Sequence, residues 1–129
     1  EWVLAIRLER SYTKEEIIQF SDEWWQQANK KIYGPDPGGE KRLTPHLLEN
    51  NPIHIVKNTD AEMLKQVRFY IDCGDDDFLY KGNSTLHILL RDRQIPHEYR
   101  VRDGGHKWSY WRSGLLDGLA FIGTSFHQP

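Results

Sequence analysis

The sequence predicts an α/β protein in which three mostly parallel strands carry helices on both faces of the sheet. Short strand-like runs alternate along the chain with longer helical patterns, and this alternation is typical of parallel sheets. Each of the two later strand-like runs is followed by a polar loop containing glycine, so both loops are expected at one sheet edge. The 129 residues, 38% hydrophobic and 28% charged, suit one domain.

The first strand is predicted at residues 2–8, a short apolar run with β-branched members. Thr13 and Glu16 then form a capping-box pattern that predicts a helix over 14–30. Its apolar residues recur at helical spacing: Ile17, Phe20, Trp24 and Ala28. Glycines and prolines in 34–39 break regular structure, and Thr44-Pro45 restarts a short helix. The stretch 30–44 is therefore either a solvated connection or part of a cover over a substrate.

The second half of the chain predicts two strands and three helices. A capped helical pattern over 59–66 leads into a strand-like run at 67–72 that Gly74 ends. Asn83 or Ser84 caps the next helix, which has an apolar stripe of Leu86, Leu89 and Leu90. Pro96 stops that helix, and 97–102 alternates as a strand. A closing helix from about Tyr110 is marked by Trp111, Leu115, Leu116, Leu119 and Ile122.

An acid and a histidine follow these two later strands. Asp75, Asp76 and Asp77 come directly after Gly74, and His106 follows Gly104-Gly105 just past the second strand. A strand–helix–strand crossover brings both loops together, where a carboxylate can orient an imidazole. In acyl transfer the imidazole takes a serine proton while the carboxylate holds its tautomer. No serine of this chain stands in a G-x-S-x-G setting, the turn that exposes such a nucleophile.

These residues resemble the C-terminal half of an α/β-hydrolase of the putative esterase family, which includes feruloyl esterases, S-formylglutathione hydrolases and enterochelin-type esterases. The resemblance runs over about residues 2–122 and is strongest in 71–79 and 95–111. The family pattern places the triad acid three residues after the strand-ending glycine, at Asp77. It places the triad histidine after a glycine pair, at His106.

The resemblance implies a partial α/β-hydrolase fold and an esterase function. Family members carry the nucleophile elbow upstream of the strand at 2–8, so residues 1–129 would be the C-terminal portion of an esterase domain without the elbow half. The intact protein is then expected to be a serine carboxylic-ester hydrolase acting on a small-molecule or carbohydrate-linked ester. The isolated chain is expected to be inactive. No cofactor is implied, because nucleophile, base and oxyanion donors suffice for acyl transfer.

Other interpretations of the same residues stay open. Asp75 or Asp76 could be the acid in place of Asp77, and the three acids with a histidine could bind a metal, although no known metal-motif spacing is present. Cys73 could be a nucleophile, but its position at a strand end favours a small buried residue. Tryptophans are expected more often in the core than in a pocket: Trp24, Trp25, Trp108 and Trp111. A non-catalytic binding or structural domain on a hydrolase-like scaffold is the alternative function.

Charge and hydropathy restrict the partners. A formal net charge of −2 and a pI near 6.3 argue against nucleic acid, and no apolar run approaches the roughly 18 residues that span a bilayer. The first strand would leave a free edge. That edge is expected to pair with the missing N-terminal half of the same hydrolase, or to be covered by self-association.

Overall fold

The computed structural model describes residues 11–124 and 126, so the strand predicted at 2–8 lies outside the described residues. The described part is an α/β arrangement with a helical first half and a two-stranded parallel sheet in the second. The fold class is therefore confirmed in outline, with two of the three predicted strands observed. None of the helices within the described residues is both long and apolar enough to cross a membrane.

The two strands are β1 (Phe69–Gly74) and β2 (His97–Arg102), joined by helix α7 (Tyr80–Asp92). They pair in parallel, with Phe69 opposite His97 and Gly74 opposite Arg102. β2 has the predicted bounds, whereas β1 starts two residues later than predicted. β1 starts later because Val67 still belongs to the preceding turn, where its N–H donates to the Leu64 carbonyl at 3.0 Å.

Helices cover both faces of this sheet. On one face, Phe69 and Ile71 pack with Leu86 and Leu90 of α7 and with Ile95 in the largest core cluster. Leu90 is fully buried, and burying such a side chain stabilises the fold by about 1.5–3 kcal/mol. The opposite face of β1 receives α8 (Trp108–Gly123).

Polar and aromatic contacts attach α8 to β1. The Tyr110 hydroxyl donates to Asp72 Oδ1 at 2.5 Å, and the Tyr70 and Phe121 rings are 5.2 Å apart. Burial together with the Asp72 carboxylate raises the pKa of Tyr110, which keeps the hydroxyl a donor. Gly114 allows this close approach, because a Cβ there would lie 2.0 Å from the Arg102 guanidinium.

The apolar stripe of α8 does not face the described sheet. The closing helix is observed, but the side of α8 against β1 carries Tyr110 and Gly114, which are buried. Leu115, Leu116 and Leu119 are 53–74% exposed in the described structure. Three of the five apolar residues that predicted the helix therefore lie on its outer face, whereas the Trp111 ring contacts His106.

The helix predicted over 14–30 is divided into several pieces. α1 (Lys14–Gln19) has the predicted capping box at Thr13, but it ends at Phe20. Ser21 then caps α2 (Asp22–Trp24), because its hydroxyl accepts from the Trp24 N–H at 3.1 Å. The chain continues as a wide π turn over Trp25–Asn29 and then as α3 (Lys30–Tyr33).

The stretch predicted as a long loop is partly ordered by a buried arginine. It contains a 3₁₀ turn over Gly39–Arg42, and Arg42 forms an ion pair with Asp36 at 2.6 Å. Arg42 also donates to the carbonyls of Ile18 at 3.1 Å and Phe20 at 2.6 Å. These bonds fasten the stretch to the end of α1.

Three short helices precede β1: α4 (Pro45–Glu49), α5 (Pro52–Asn58) and α6 (Ala61–Leu64). Thr44 caps α4 as predicted, and Asp60 rather than Thr59 caps α6. Helix α5 was not predicted, although Asn51-Pro52 is a cap followed by proline at the first turn. α7 begins at Tyr80, so the predicted caps at positions 83 and 84 lie inside the helix.

Candidate functional site

The structure brings Asp77 and His106 into contact at the carboxyl end of the sheet. Asp77 Oδ2 lies 3.0 Å from His106 Nδ1. The Asp77 side chain is 5% exposed and the His106 side chain 30% exposed. The acid is thus enclosed, whereas the histidine ring reaches the surface of a cleft.

Backbone contacts between the two loops set this distance. Just beyond the paired strands, the Asp75 N–H donates to the Arg102 carbonyl at 3.1 Å and the Asp76 N–H to the Gly104 carbonyl at 3.0 Å. Gly74 sits where these loops meet, and a Cβ on it would lie 1.9 Å from the Gly104 carbonyl oxygen. Gly104 itself has φ +132°, a conformation that favours glycine.

Both oxygens of the Asp77 carboxylate have partners. Oδ1 accepts from the Leu79 N–H at 2.9 Å, and Oδ2 accepts from the His106 ring. When the neutral imidazole carries its proton on Nδ1 and donates from there, Nε2 is unprotonated. The arrangement therefore presents a proton acceptor on the exposed side of the ring and a buried negative charge behind it.

The other two acids are placed differently. Asp75 and Asp76 are exposed, and Asp75 Oδ1 accepts from the Gly104 N–H at 3.0 Å. Of the three consecutive acids, Asp77 is the one that contacts His106. Asp75, Asp76 and Asp103 have carboxylate oxygens within 4.8 Å of one another, but this exposed group contains no histidine.

The Cys73 side chain is buried on the face of the sheet that packs against α7. It is 4% exposed, and Asn83 donates to its sulfur at 3.4 Å. Burial raises the pKa of the Cys73 thiol, which disfavours the nucleophilic thiolate. These surroundings support the structural interpretation of this residue.

Two aromatic rings contact the His106 ring. Phe78 lies 4.9 Å from it between ring centroids, and Trp111 meets it edge-on at 4.7 Å. Trp24 in turn contacts Phe78 at 5.6 Å. The expectation that tryptophans belong to the core is met by Trp25, whose Nε1 donates to the Gly34 carbonyl. Trp108 is 72% exposed.

A cleft of about 160 Å³ opens beside His106. Its walls come from helices of the first half and from the acid loop: Tyr12, Trp24, Ala28, Asn29, Phe78 and Leu79. Sequence reasoning did not identify Phe78 or Asn29. For Phe78 the adjacent Asp77 was an available signal. Consecutive helical positions point in different directions, which leaves one of Trp24 and Trp25 to face either the site or the missing half; Trp25 is buried and Trp24 lines the cleft.

The serines of the described residues do not complete a triad. Ser84 shares a hydrogen bond with the Tyr99 hydroxyl, Ser113 donates to the Tyr110 carbonyl, and Ser21 caps a helix. Ser11 is fully buried. Over residues 11–124 and 126, no serine hydroxyl makes a hydrogen bond with the His106 ring, which bonds to Asp77.

Comparison with known proteins identifies the family. Residues 15–122 match the family model described as "Putative esterase". An acetyl esterase from Caldicellulosiruptor saccharolyticus is 39% identical over 55 residues, which are 43% of this chain and 21% of that protein. A solved structure of a ferulic acid esterase aligns with a TM-score of 0.57 and 38% identity, covering 67% of this chain and 34% of the other.

This chain thus spans about a fifth of the length of the acetyl esterase and about a third of the solved ferulic acid esterase. The family match extends from α1 into the last turn of α8, so it includes both strands, both loops and the described residues of the cleft other than Tyr12. On this evidence the chain belongs to the putative esterase family.

Proposed function

We propose that this chain supplies the acid and the histidine of a serine carboxylic-ester hydrolase. The observation that carries the proposal is the 3.0 Å contact between the enclosed Asp77 carboxylate and Nδ1 of His106. A carboxylate in this position fixes the ring tautomer and stabilises the imidazolium that forms during catalysis. Membership of an esterase family supports the same chemistry.

In the proposed reaction, His106 Nε2 removes the proton of a serine hydroxyl as the serine oxygen attacks the ester carbonyl carbon. The tetrahedral intermediate collapses when the bond to the alcohol oxygen breaks, and His106 gives its proton to that oxygen. Water then attacks the acyl-enzyme by the same route and releases the carboxylic acid. Asp77 stays ionised throughout and stabilises the positive ring.

We place the serine in a part of the hydrolase outside these 129 residues, within a nucleophile elbow. Two observations support this placement: the chain spans only 21–34% of its relatives, and no serine of the described residues bonds to His106. Residues 1–129 then form the C-terminal portion of the domain. The missing half would also cover the free sheet edge, which otherwise favours self-association.

We propose small-molecule or carbohydrate-linked esters as the substrates. The relatives are named an acetyl esterase and a ferulic acid esterase, and both names denote hydrolysis of carboxylic esters. The mechanism needs no cofactor, because an activated serine and oxyanion donors suffice.

The test uses the complete protein and its His106→Ala variant. With 4-nitrophenyl acetate, we expect the variant to lose about 10³-fold or more in kcat, because the serine has no base. A fluorophosphonate should label the parent protein covalently and the variant far more slowly. The control is His46→Ala, an exposed ring that bonds a helix carbonyl away from the cleft.

Near-native kcat in His106→Ala would exclude this histidine as the base. Inhibition of the parent protein by a chelator would instead favour metal-dependent hydrolysis. Absence of a G-x-S-x-G sequence from the complete reading frame, together with no fluorophosphonate labelling, would favour a binding or structural domain on a hydrolase scaffold.

A further inference from the structure

Asn29 is a buried polar side chain in the wall of the cleft beside His106. It is 4% exposed, and its Nδ2 has no hydrogen-bond partner. No described residue donates to its Oδ1 either. A buried amide without partners destabilises a folded protein, so its presence calls for a compensating role.

The other asparagines of the chain show what a satisfied amide does here. Asn50, Asn58 and Asn83 each donate Nδ2 to the carbonyl four residues earlier, at 2.8, 2.7 and 3.1 Å. Asn51 donates to the Tyr12 carbonyl at 2.8 Å. Asn29 is the one of the five whose Nδ2 has no acceptor, whereas in Asn83 the unpartnered atom is Oδ1.

The backbone explains why the usual bond is missing. Asn29 ends the π turn, where the Lys30 N–H donates to the Trp25 carbonyl across five residues, so the four-residue spacing of the other helical asparagines is not kept. Asn29 has φ −116°, far from the helical value. π turns of this kind occur frequently at functional sites, because they redirect side chains that a regular helix would align.

The composition of the cleft defines what the amide can bind. Trp24, Ala28, Phe78 and Leu79 supply aromatic and aliphatic walls, and no Asp, Glu, Lys or Arg is among the described lining residues. Against these described residues, a charged group would lose its hydration without gaining a counter-charge. An uncharged oxygen of a substrate can replace its hydrogen bond to water with one from the amide at little cost in free energy.

We propose that the Asn29 side chain, whose Nδ2 is enclosed in the described structure, rotates toward the cleft when a substrate enters and donates a hydrogen bond to an uncharged oxygen, of a hydroxyl, ether or carbonyl outside the reacting ester. Asn29 is then a specificity residue that selects oxygen-bearing acyl or alcohol groups over hydrocarbon ones. The inference rests on the proposed function, since it makes the cleft beside His106 a substrate site.

The test compares isosteric esters that differ by an oxygen in place of a methylene. On the acyl side these are 4-nitrophenyl methoxyacetate and 4-nitrophenyl butanoate. On the alcohol side they are 2-methoxyethyl acetate and butyl acetate. Each ratio of kcat/KM is measured for the complete protein and for Asn29→Ala, so that differences in intrinsic reactivity cancel.

We expect Asn29→Ala to lower the oxygen-to-methylene ratio about tenfold in one of the two pairs, and the affected pair identifies the side of the ester that enters the cleft. Asn29→Asp keeps the shape without the donor and should lower the same ratio. Asn58→Ala, which removes an exposed helical asparagine, should leave both ratios unchanged. The melting temperature of Asn29→Ala should be unchanged or higher, because the change removes an unpaired donor.

Unchanged ratios in Asn29→Ala, or equal losses with all four esters, would overturn the specificity role. If His106→Ala meanwhile abolishes turnover, the proposed function stands and only this inference fails. If His106→Ala retains turnover, the proposed function itself fails.

Discussion

The side chains around His106 restrict its ring in three directions. Asp77 bonds Nδ1, Phe78 lies against the ring at 4.9 Å, and Trp111 meets it edge-on. Under the proposed function, this restriction of the base lowers the barrier, because the ring needs no reorientation during the reaction. The aromatic contacts also withdraw water from one side of the ring.

The three acids give a direct test of the assignment. In the complete protein, Asp77→Asn should lower kcat by about 10³–10⁴, because an amide facing Nδ1 favours the wrong tautomer. Asp76→Asn is the matched control, since Asp76 is exposed and does not contact His106. Steady-state turnover of 4-nitrophenyl acetate measures both variants. Equal losses in the two would show that the wrong carboxylate was chosen.

A second residue-scale prediction concerns stability in acid. The hydrogen bonds from Arg42 lower the pKa of Asp36 from its ordinary value of 3.8 to about 2. A depressed pKa in the folded state adds stability above pH 4, and this contribution disappears as the pH falls toward 2. We expect the free energy of unfolding in urea to fall over that range.

Asp36→Asn provides the comparison for this acid dependence. The variant should be less stable than the parent at pH 7, because Arg42 loses its nearest carboxylate. Its stability should also change less between pH 4 and pH 2. A variant with the same pH dependence as the parent would assign the acid sensitivity to other carboxylates.

Asp77 and Asn29 show which residues of the site can be predicted from the sequence and which cannot. The meeting of the acid loop and the histidine loop could be predicted because a crossover brings both to one sheet edge, whereas the choice of Asp77 among the three acids rested on the resemblance to the family pattern. Asn29 could not be identified in this way. Its distinguishing property is an absent bond, and that absence depends on a π turn that no sequence pattern announces.

At the scale of elements, predictions succeeded where strong boundary residues exist. β2 has its predicted bounds because Pro96 precedes it and Gly104 closely follows it. The helix over 14–30 was predicted as continuous because its apolar spacing runs through Phe20. Ser21 competes locally for the Trp24 N–H, and this capping bond ends the first segment.

The meeting point of the two loops gives an element-scale prediction. Gly74→Ala should destabilise the protein by about 1–3 kcal/mol or more, because its Cβ would overlap the Gly104 carbonyl and force the loops apart. Gly118→Ala is the control. That position in α8 leaves a Cβ 3.9 Å from the Tyr70 ring, so alanine should gain up to about 1 kcal/mol of helix stability.

Urea unfolding monitored by tryptophan fluorescence measures both glycine variants. In the complete protein, Gly74→Ala should also reduce kcat, because separating the loops lengthens the contact between Asp77 and His106. Wild-type stability and turnover in this variant would show that the loops relax without affecting the site.

For the whole molecule, we predict that the 129-residue chain alone does not turn over 4-nitrophenyl acetate above a buffer blank. Asp77 and His106 are in contact, but no serine of the described residues bonds to the His106 ring. Parallel measurements on the complete protein confirm that the assay detects the enzyme. Steady turnover by the chain alone that a serine reagent abolishes would place the nucleophile within these residues.

The outer face of α8 shows what the sequence pattern cannot predict about the whole molecule. The amphipathic pattern identified the helix correctly, but a pattern alone does not say which neighbour an apolar face meets. The described sheet takes the side with Tyr110 and Gly114, so Leu115, Leu116 and Leu119 remain at the surface of the described structure. These three leucines can be covered only by chain segments or partners beyond the described residues.

The acid and the histidine stand on one continuous strand–helix–strand unit, residues 69–106. Their contact is therefore made within one segment of the chain. Under the proposed function, this segment and a separately produced serine-bearing segment should each be inactive, and colour from a nitrophenyl ester should appear only when the two are combined. Two polypeptides with this property would form a split-enzyme reporter.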